Sequence, residues 1–350
     1  MRRTSLLALV LLIAVSFGVA GGCNNNNNRS NDVTIPDAEE GFDLELAIEL
    51  AELALVAYEQ RIQCINGGEG AITVPSEYKL EEVIFESVST LLDSTCEGED
   101  DVVPIAFIAT KDDNIYLSFR GTANIMDDVD DAAALQEPYK FVPMGGSVSL
   151  GFQGVYEGDE ANPVESTILS KLDELAMTGS FNNLFITGHS LGAALAFLAF
   201  PDLSQNLGMI DSVTMYNFAG PAVGDSQFVT TYEGEESLNR ISFRIVNEYD
   251  LVPKLPPLGL DCIAFDYHHV DGEHEIMFGE ELPALPDFAA ADCNLITIAG
   301  DIINYGLANL DGILENHSMC TYYDTLCNMS SDPSSCAGGA IGCDDGNQNP

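Results

Sequence analysis

Basic side chains are scarce in this chain: 12 lysines and arginines face 56 aspartates and glutamates over 350 residues, a formal charge of −44. Such a surface repels phosphate backbones, which excludes nucleic acid as a partner. It also repels anionic membrane faces, so electrostatic docking on a lipid surface is disfavoured, whereas a salty medium would screen the self-repulsion. Membrane-spanning runs are missing too. The N-terminal apolar run, Leu6 to Val19, has 14 residues, short of the roughly 20 helical residues that cross a bilayer. No two cysteines stand at the two-to-four spacing of a zinc knuckle, and no pattern in the chain calls for a metal or other cofactor. The apolar fraction, 46%, is ordinary. It suffices for one large core and is too rich for a disordered chain.

The N-terminus reads as an export signal. Arg2 and Arg3 precede the apolar run, which closes on Ala20-Gly21-Gly22-Cys23, so residues 1–22 are expected to be a signal peptide. The closing residues resemble the lipobox of bacterial lipoproteins, although that motif prefers Leu where Ala20 stands. The resemblance implies lipidation of Cys23 and a membrane anchor on the outer membrane or cell surface; ordinary cleavage and secretion is the alternative. Removal of Arg2 and Arg3 with the signal would leave a charge of −46. Residues 23–38, opening on the run Asn24 to Asn28, read as a polar tether.

Nine cysteines are present, and a lipidated Cys23 leaves eight, an even set that suits disulfides in an exported chain. On one helix, Cys320 and Cys327 would be about 10.5 Å apart along the axis, beyond the roughly 7 Å reach of a bridge. Each is expected to pair elsewhere, most simply with Cys336 and Cys343 in the Ser/Gly/Asp-rich tail, residues 329–350. Cys64–Cys96 and Cys262–Cys293 are the remaining pairings to expect.

Between tether and tail, residues 39–328 read as one α/β domain. Leu44, Ile48, Ala51, Leu55 and Tyr58 fall at helical spacing, and Val83 to Phe85 reads as a strand. Val102 to Ala109, Asn114 to Phe119, Ser147 to Phe152, Asn183 to Thr187, Val213 to Phe218 and Ile241 to Val246 are strand-like. Helices are expected at Pro163 to Met177 and Leu191 to Phe200. This alternation implies a mostly parallel sheet with helices on both faces.

The segment with most chemical content is Gly188-His189-Ser190-Leu191-Gly192, set between an apolar strand and an Ala-rich helix. A serine on such a sharp strand-to-helix turn is presented above the sheet as a nucleophile. It needs a base, and the base needs an orienting acid. Asp250 ends a strand region just before a turn, with Glu248 as its rival. Downstream histidines are His268, His269, His274 and His317, the first three clustered among acids. A metal site at that cluster is a lesser alternative to ordinary hydrogen-bonded residues of a loop or strand pair.

Several segments together resemble the class 3 lipase family, the α/β-hydrolases of the secreted fungal triacylglycerol lipase type, over about residues 39–328. They are Tyr116 to Thr122, Ile186 to Ala196, Phe218 to Gly224, Asp250-Leu251-Val252-Pro253 and His268 to Glu273. The resemblance implies an α/β-hydrolase fold and a serine carboxylic-ester hydrolase without cofactor. It further implies a triad of Ser190, Asp250 and His317, with Thr122 and the Leu191 backbone holding the oxyanion. Arg120 is expected to be structural. Ile125, Met126 and Val129 would form a thin apolar stripe on a small lid with four aspartates. Because the chain has no tryptophan, the aromatic lid anchor common in that family is missing, and Ser149 stands where the family usually has histidine. The expected substrate is a lipid ester, with phospholipids or soluble short esters as alternatives on the same triad. A non-catalytic surface-binding lipoprotein is the rival of a different class. Oligomeric state is not legible.

Overall fold

In the computed structural model, the residues described are 41–59, 71–87, 102–122, 135–178, 181–208, 210–235, 239–256, 266–284, 304–306, 308–331 and 336. Cys23, the tether, the expected lid at Ile125, Met126 and Val129, and Cys64, Cys96, Cys262, Cys293 and Cys343 lie outside them.

Apolar strands that alternate with helices assemble as the pattern predicts. The strands are β1 (Lys79–Ser87), β2 (Val102–Lys111), β3 (Asn114–Phe119), β4 (Gln136–Pro138), β5 (Ser147–Ser149), β6 (Asn183–His189), β7 (Ser212–Phe218), β8 (Arg240–Asn247) and β9 (Glu273–Ile276). The helices are α1 (Leu44–Val56), α2 (Leu150–Glu157), α3 (Val164–Met177), α4 (Leu191–Asn206), α5 (Ser226–Glu235), α6 (Leu310–His317) and α7 (Met319–Met329). Seven strands form one sheet in the order β1-β2-β3-β6-β7-β8-β9. The β1–β2 and β2–β3 pairs are antiparallel, and β3 through β9 run parallel. Strands β4 and β5 pair separately.

Alternation along each strand feeds two cores. On one face Leu117, Leu184, Ile186, Val213 and Met215 pack with α2, α3 and α4 side chains. On the other, Tyr116, Tyr216 and Phe218 pack with α1 and α7. Each fully buried side chain of this kind contributes roughly 1.5–3 kcal/mol relative to exposure. Two hydroxyls fix α1 on its face: Ser118 Oγ donates to the Leu53 carbonyl at 2.9 Å, and Thr187 Oγ1 to that of Leu50 at 3.1 Å. Asp43 caps α1 by accepting from the Glu45 and Leu46 N–H groups.

Several boundaries differ from the expectation. The strand read as Ser147 to Phe152 stops at Ser149, because the Ser149 hydroxyl caps α2 by accepting from the Phe152 N–H. Phe152, Val155 and Tyr156 are then buried at helical spacing. Helix α4 runs past Phe200, through Pro201, to Asn206. His317 closes α6, and Ser318 caps α7. The histidine cluster contributes an edge strand, β9, that spacing did not reveal. Cys320 and Cys327 share α7. Cys327 is bridged to Cys336, and Cys320 is also in a disulfide, with a partner outside the described residues.

Candidate active site

The site forms where β6 turns into α4. Ser190 has φ 59° and ψ −122°, a left-handed conformation that costs a non-glycine residue of the order of 1–3 kcal/mol and persists only where the surroundings impose it. Those surroundings are tight. A Cβ on Gly188 would come within 2.3 Å of the Gly192 carbonyl oxygen, and one on Gly192 within 2.4 Å of the Phe119 carbonyl oxygen. Strand, turn and helix therefore touch through bare backbone. The Ser190 N–H is held by the Phe218 carbonyl at 3.0 Å.

Three side chains from distant parts of the chain converge there. Ser190 Oγ is 2.6 Å from His317 Nε2. His317 Nδ1 is 2.8 Å from Asp250 Oδ2 and 3.0 Å from Oδ1. Asp250 follows β8, and its carboxylate is fully buried. It also accepts from the Val252 N–H at 3.0 Å and the Tyr322 hydroxyl at 2.9 Å. These bonds fix the carboxylate's orientation toward His317 Nδ1. The rival acid Glu248 is exposed, its backbone N–H bonded to Ile276. The ring of His317 is thus oriented at one nitrogen and faces a hydroxyl at the other, which suits proton transfer from an alcohol.

The clustered histidines are dispersed to separate tasks. His268 meets Asp266 at the surface, and His274 stacks on Phe42 with ring centroids 3.8 Å apart. His269 Nε2 donates to the Pro253 carbonyl at 2.5 Å. Burial, then the nearby Arg244 charge, lowers the His269 pKa to about 3. Among the described residues no group of three His, Cys, Asp or Glu side chains stands close enough to hold a metal ion.

The expected oxyanion residues follow the ends of β3 and β6. In the parallel β3–β6 pair Phe119 is opposite Gly188, so Thr122 and Ser190 leave the same end of neighbouring strands. Leu191 is the first residue of α4, where backbone N–H groups have no acceptor inside the helix. Arg120 is buried at the end of β3, its N–H bonded to the Ile105 carbonyl, a structural placement.

Four supporting residues were not singled out from sequence. Tyr322 holds Asp250 while accepting from the Asn247 N–H at 2.8 Å. Asn247 Nδ2 donates to the Asn316 carbonyl at 2.9 Å, and Asn316 Nδ2 donates to the carbonyls of Tyr249 and Glu280. His189 bonds the His317 carbonyl. Their buried, paired polar groups appear only in three dimensions; the one local signal is that Asn316 and His189 adjoin His317 and Ser190.

A parallel-dominated sheet with a strained serine between strand and helix, and a carboxylate and imidazole behind it, is the architecture of the α/β-hydrolase fold. Residues 116–260 match the model of the lipase (class 3) family. It is 33% identical over 165 residues to a lipase of Rhizomucor miehei, covering 46% of this chain and 41% of that one. It is 28% identical over 159 residues to phospholipase A(1) DAD1 of Arabidopsis thaliana, covering 42% and 35%. The triacylglyceride lipase structure of Rhizomucor miehei has the same fold, with a TM-score of 0.51 at 23% identity over 69% of this chain and 82% of that one. The chain thus spans less than half the length of these curated relatives.

Proposed function

We propose that this protein is a serine carboxylic-ester hydrolase of lipase type, cleaving acylglycerols or related lipid esters through an acyl-enzyme on Ser190. The observation that carries the reading is the unbroken series from Ser190 Oγ to His317 at 2.6 Å and from His317 to Asp250 at 2.8 Å. In this reading Ser190 Oγ attacks the ester carbonyl carbon while its proton passes to His317 Nε2. Asp250 holds the resulting imidazolium in place. The carbonyl oxygen becomes an oxyanion, received by the Leu191 N–H and by Thr122; losing one such donor costs about 10²- to 10³-fold in rate. As the tetrahedral centre collapses, the C–O bond breaks and the departing alcohol takes the proton from His317. Water then gives a proton to His317 and its oxygen to the acyl carbon, releasing the carboxylic acid and restoring Ser190.

A second substrate reading, phospholipid sn-ester cleavage on the same triad, is favoured by the match to a plant protein named phospholipase A(1). Soluble short esters suit the small, aspartate-rich segment after Thr122. Export follows in this proposal from the signal-like residues 1–22, and a lipid on Cys23 would anchor the domain to a membrane through the tether. A hydrolase fold retained only for surface binding would have no use for a serine held in a costly backbone conformation.

Fluorophosphonate labelling tests the reading. Wild-type protein should be labelled, and Ser190→Ala should lose the label while its circular dichroism is unchanged. Labelling that survives in Ser190→Ala overturns the assignment. Rates on p-nitrophenyl esters of increasing chain length, below and above micelle formation, then separate lipase from esterase behaviour. A jump at the interface marks the lipase, and smooth saturation on short chains marks the esterase.

A further inference from the structure

The elbow contains a second imidazole that the acyl-transfer scheme leaves unused. His189 is buried, with its ring centroid 4.5 Å from that of His317. Its Nε2 is 2.8 Å from the His317 backbone carbonyl, and its Nδ1 is 2.8 Å from the Tyr58 hydroxyl. A carbonyl can only accept, so Nε2 carries the proton. Nδ1 is then an acceptor, and Tyr58 donates to it. Burial, followed by the proximity of His317, holds the His189 pKa well below its ordinary value, so the ring stays neutral and in one tautomer.

Both ends of this pair are fixed. Tyr58 lies just beyond α1, its hydroxyl against the backbone of Gly121, where an added Cβ would approach within 2.0 Å of it. His317 is the last residue of α6, and the final carbonyls of a helix have no partner within it. Here Asn247 satisfies the Asn316 carbonyl and His189 that of His317.

We infer that Tyr58 and His189 form a positioning strut for the triad base. The strut runs from the end of α1, past the residue that precedes Thr122, to the backbone from which the His317 imidazole projects. His189 touches no reacting atom; it acts by fixing the carbonyl of His317 and therefore the approach of Nε2 to Ser190. Its neutrality matters as well. A second cation this close would oppose the imidazolium that forms when His317 takes the serine proton.

The inference rests on the ester-hydrolase reading, and the test separates the two. The full chain is assayed as wild type, His189→Leu, His189→Gln, His189→Asn and Tyr58→Phe with p-nitrophenyl butyrate, with melting curves on each. His189→Leu is expected to lower kcat about 100-fold, the scale of a misplaced catalytic group, with KM within about threefold. His189→Gln, whose amide can reach the carbonyl from near the Nε2 position, is expected to restore at least about tenfold of that loss. Tyr58→Phe leaves the carbonyl bond intact and should cost only about three- to tenfold. A purely structural role would lower melting temperature without the kcat–KM split or the glutamine rescue. Should His189→Leu not fold, the Gln and Asn variants decide, because the shorter asparagine cannot reach the carbonyl: higher kcat in Gln supports the strut, and equal kcat overturns it. Wild-type kcat in a folded His189→Leu also overturns it. A wild-type protein that takes no fluorophosphonate label and cleaves no ester fails the hydrolase reading instead.

Discussion

Tyr322→Phe removes a single oxygen that satisfies two buried groups. The hydroxyl donates to Asp250 Oδ2 at 2.9 Å and accepts from the Asn247 N–H at 2.8 Å. A hydrogen bond to a charged group is worth about 1.5–3 kcal/mol, and a buried N–H left unsatisfied costs about 1–3 kcal/mol. These overlap in one deletion, so a loss of about 2–4 kcal/mol in stability is expected. At roughly 2–4 °C per kcal/mol for a domain of this size, Tm should fall by about 4–16 °C. Turnover should suffer less. Asp250 keeps the Val252 N–H on Oδ1 and faces His317 Nδ1 with both oxygens, so kcat is expected to drop by no more than about tenfold, equivalent to about 1.4 kcal/mol. Thermal melts and steady-state kinetics on a soluble ester read the two effects separately. An unchanged Tm, or a kcat loss equal to that of Asp250→Ala, would refute this account of the carboxylate's support.

Gly188→Ala drives a Cβ to 2.3 Å from the Gly192 carbonyl oxygen and 2.4 Å from its carbon; backbone cannot swing aside, so fluorophosphonate labelling of any folded variant should fall by at least about tenfold, and wild-type labelling would show that the elbow is looser than described. Half-buried His269 binds no proton in the folded state until about pH 3, while the unfolded chain takes one near pH 6.5. Its contribution to stability is therefore lost as pH falls below about 6.5, by about 1.4 kcal/mol per pH unit. His269→Gln should flatten the dependence of stability between pH 7 and 5 by that amount, measured by urea unfolding; parallel slopes in variant and wild type would contradict it.

Much of the fold was legible because it is written in short-range pattern. Strands β2, β3, β6, β7 and β8 lie within a residue or two of their apolar runs, since a sheet covered on both faces requires those runs. What escaped detection had weaker local signals. The Leu150–Glu157 helix was hidden because Ser149 serves both as strand end and as helix cap. The edge strand β9 alternates exposed and buried residues over only four positions, with charge on the outside. Helix α4 passes through Pro201, a residue that ordinarily signals a stop.

The candidate site divides along the same line. Ser190 was identifiable from five residues, because glycines at 188 and 192 state locally that strand and helix touch there. The choice of base was not local: four histidines follow Asp250, and only the resemblance to a family singled out His317. The same holds for His189, Tyr58, Asn247, Asn316 and Tyr322, whose roles depend on partners in other elements.

Sequence by itself determined the acidic surface, the alternation of strand and helix, and the exposed-serine turn, because these depend on side-chain chemistry and neighbours a few positions away. Tertiary structure alone decided which acid and which imidazole meet that serine, and what holds them. A separation of 127 residues collapses to 2.6 Å only after the sheet has ordered its strands and α6 has docked against the loop after β8. That closure is set by the packing of the whole core, not by any stretch of chain.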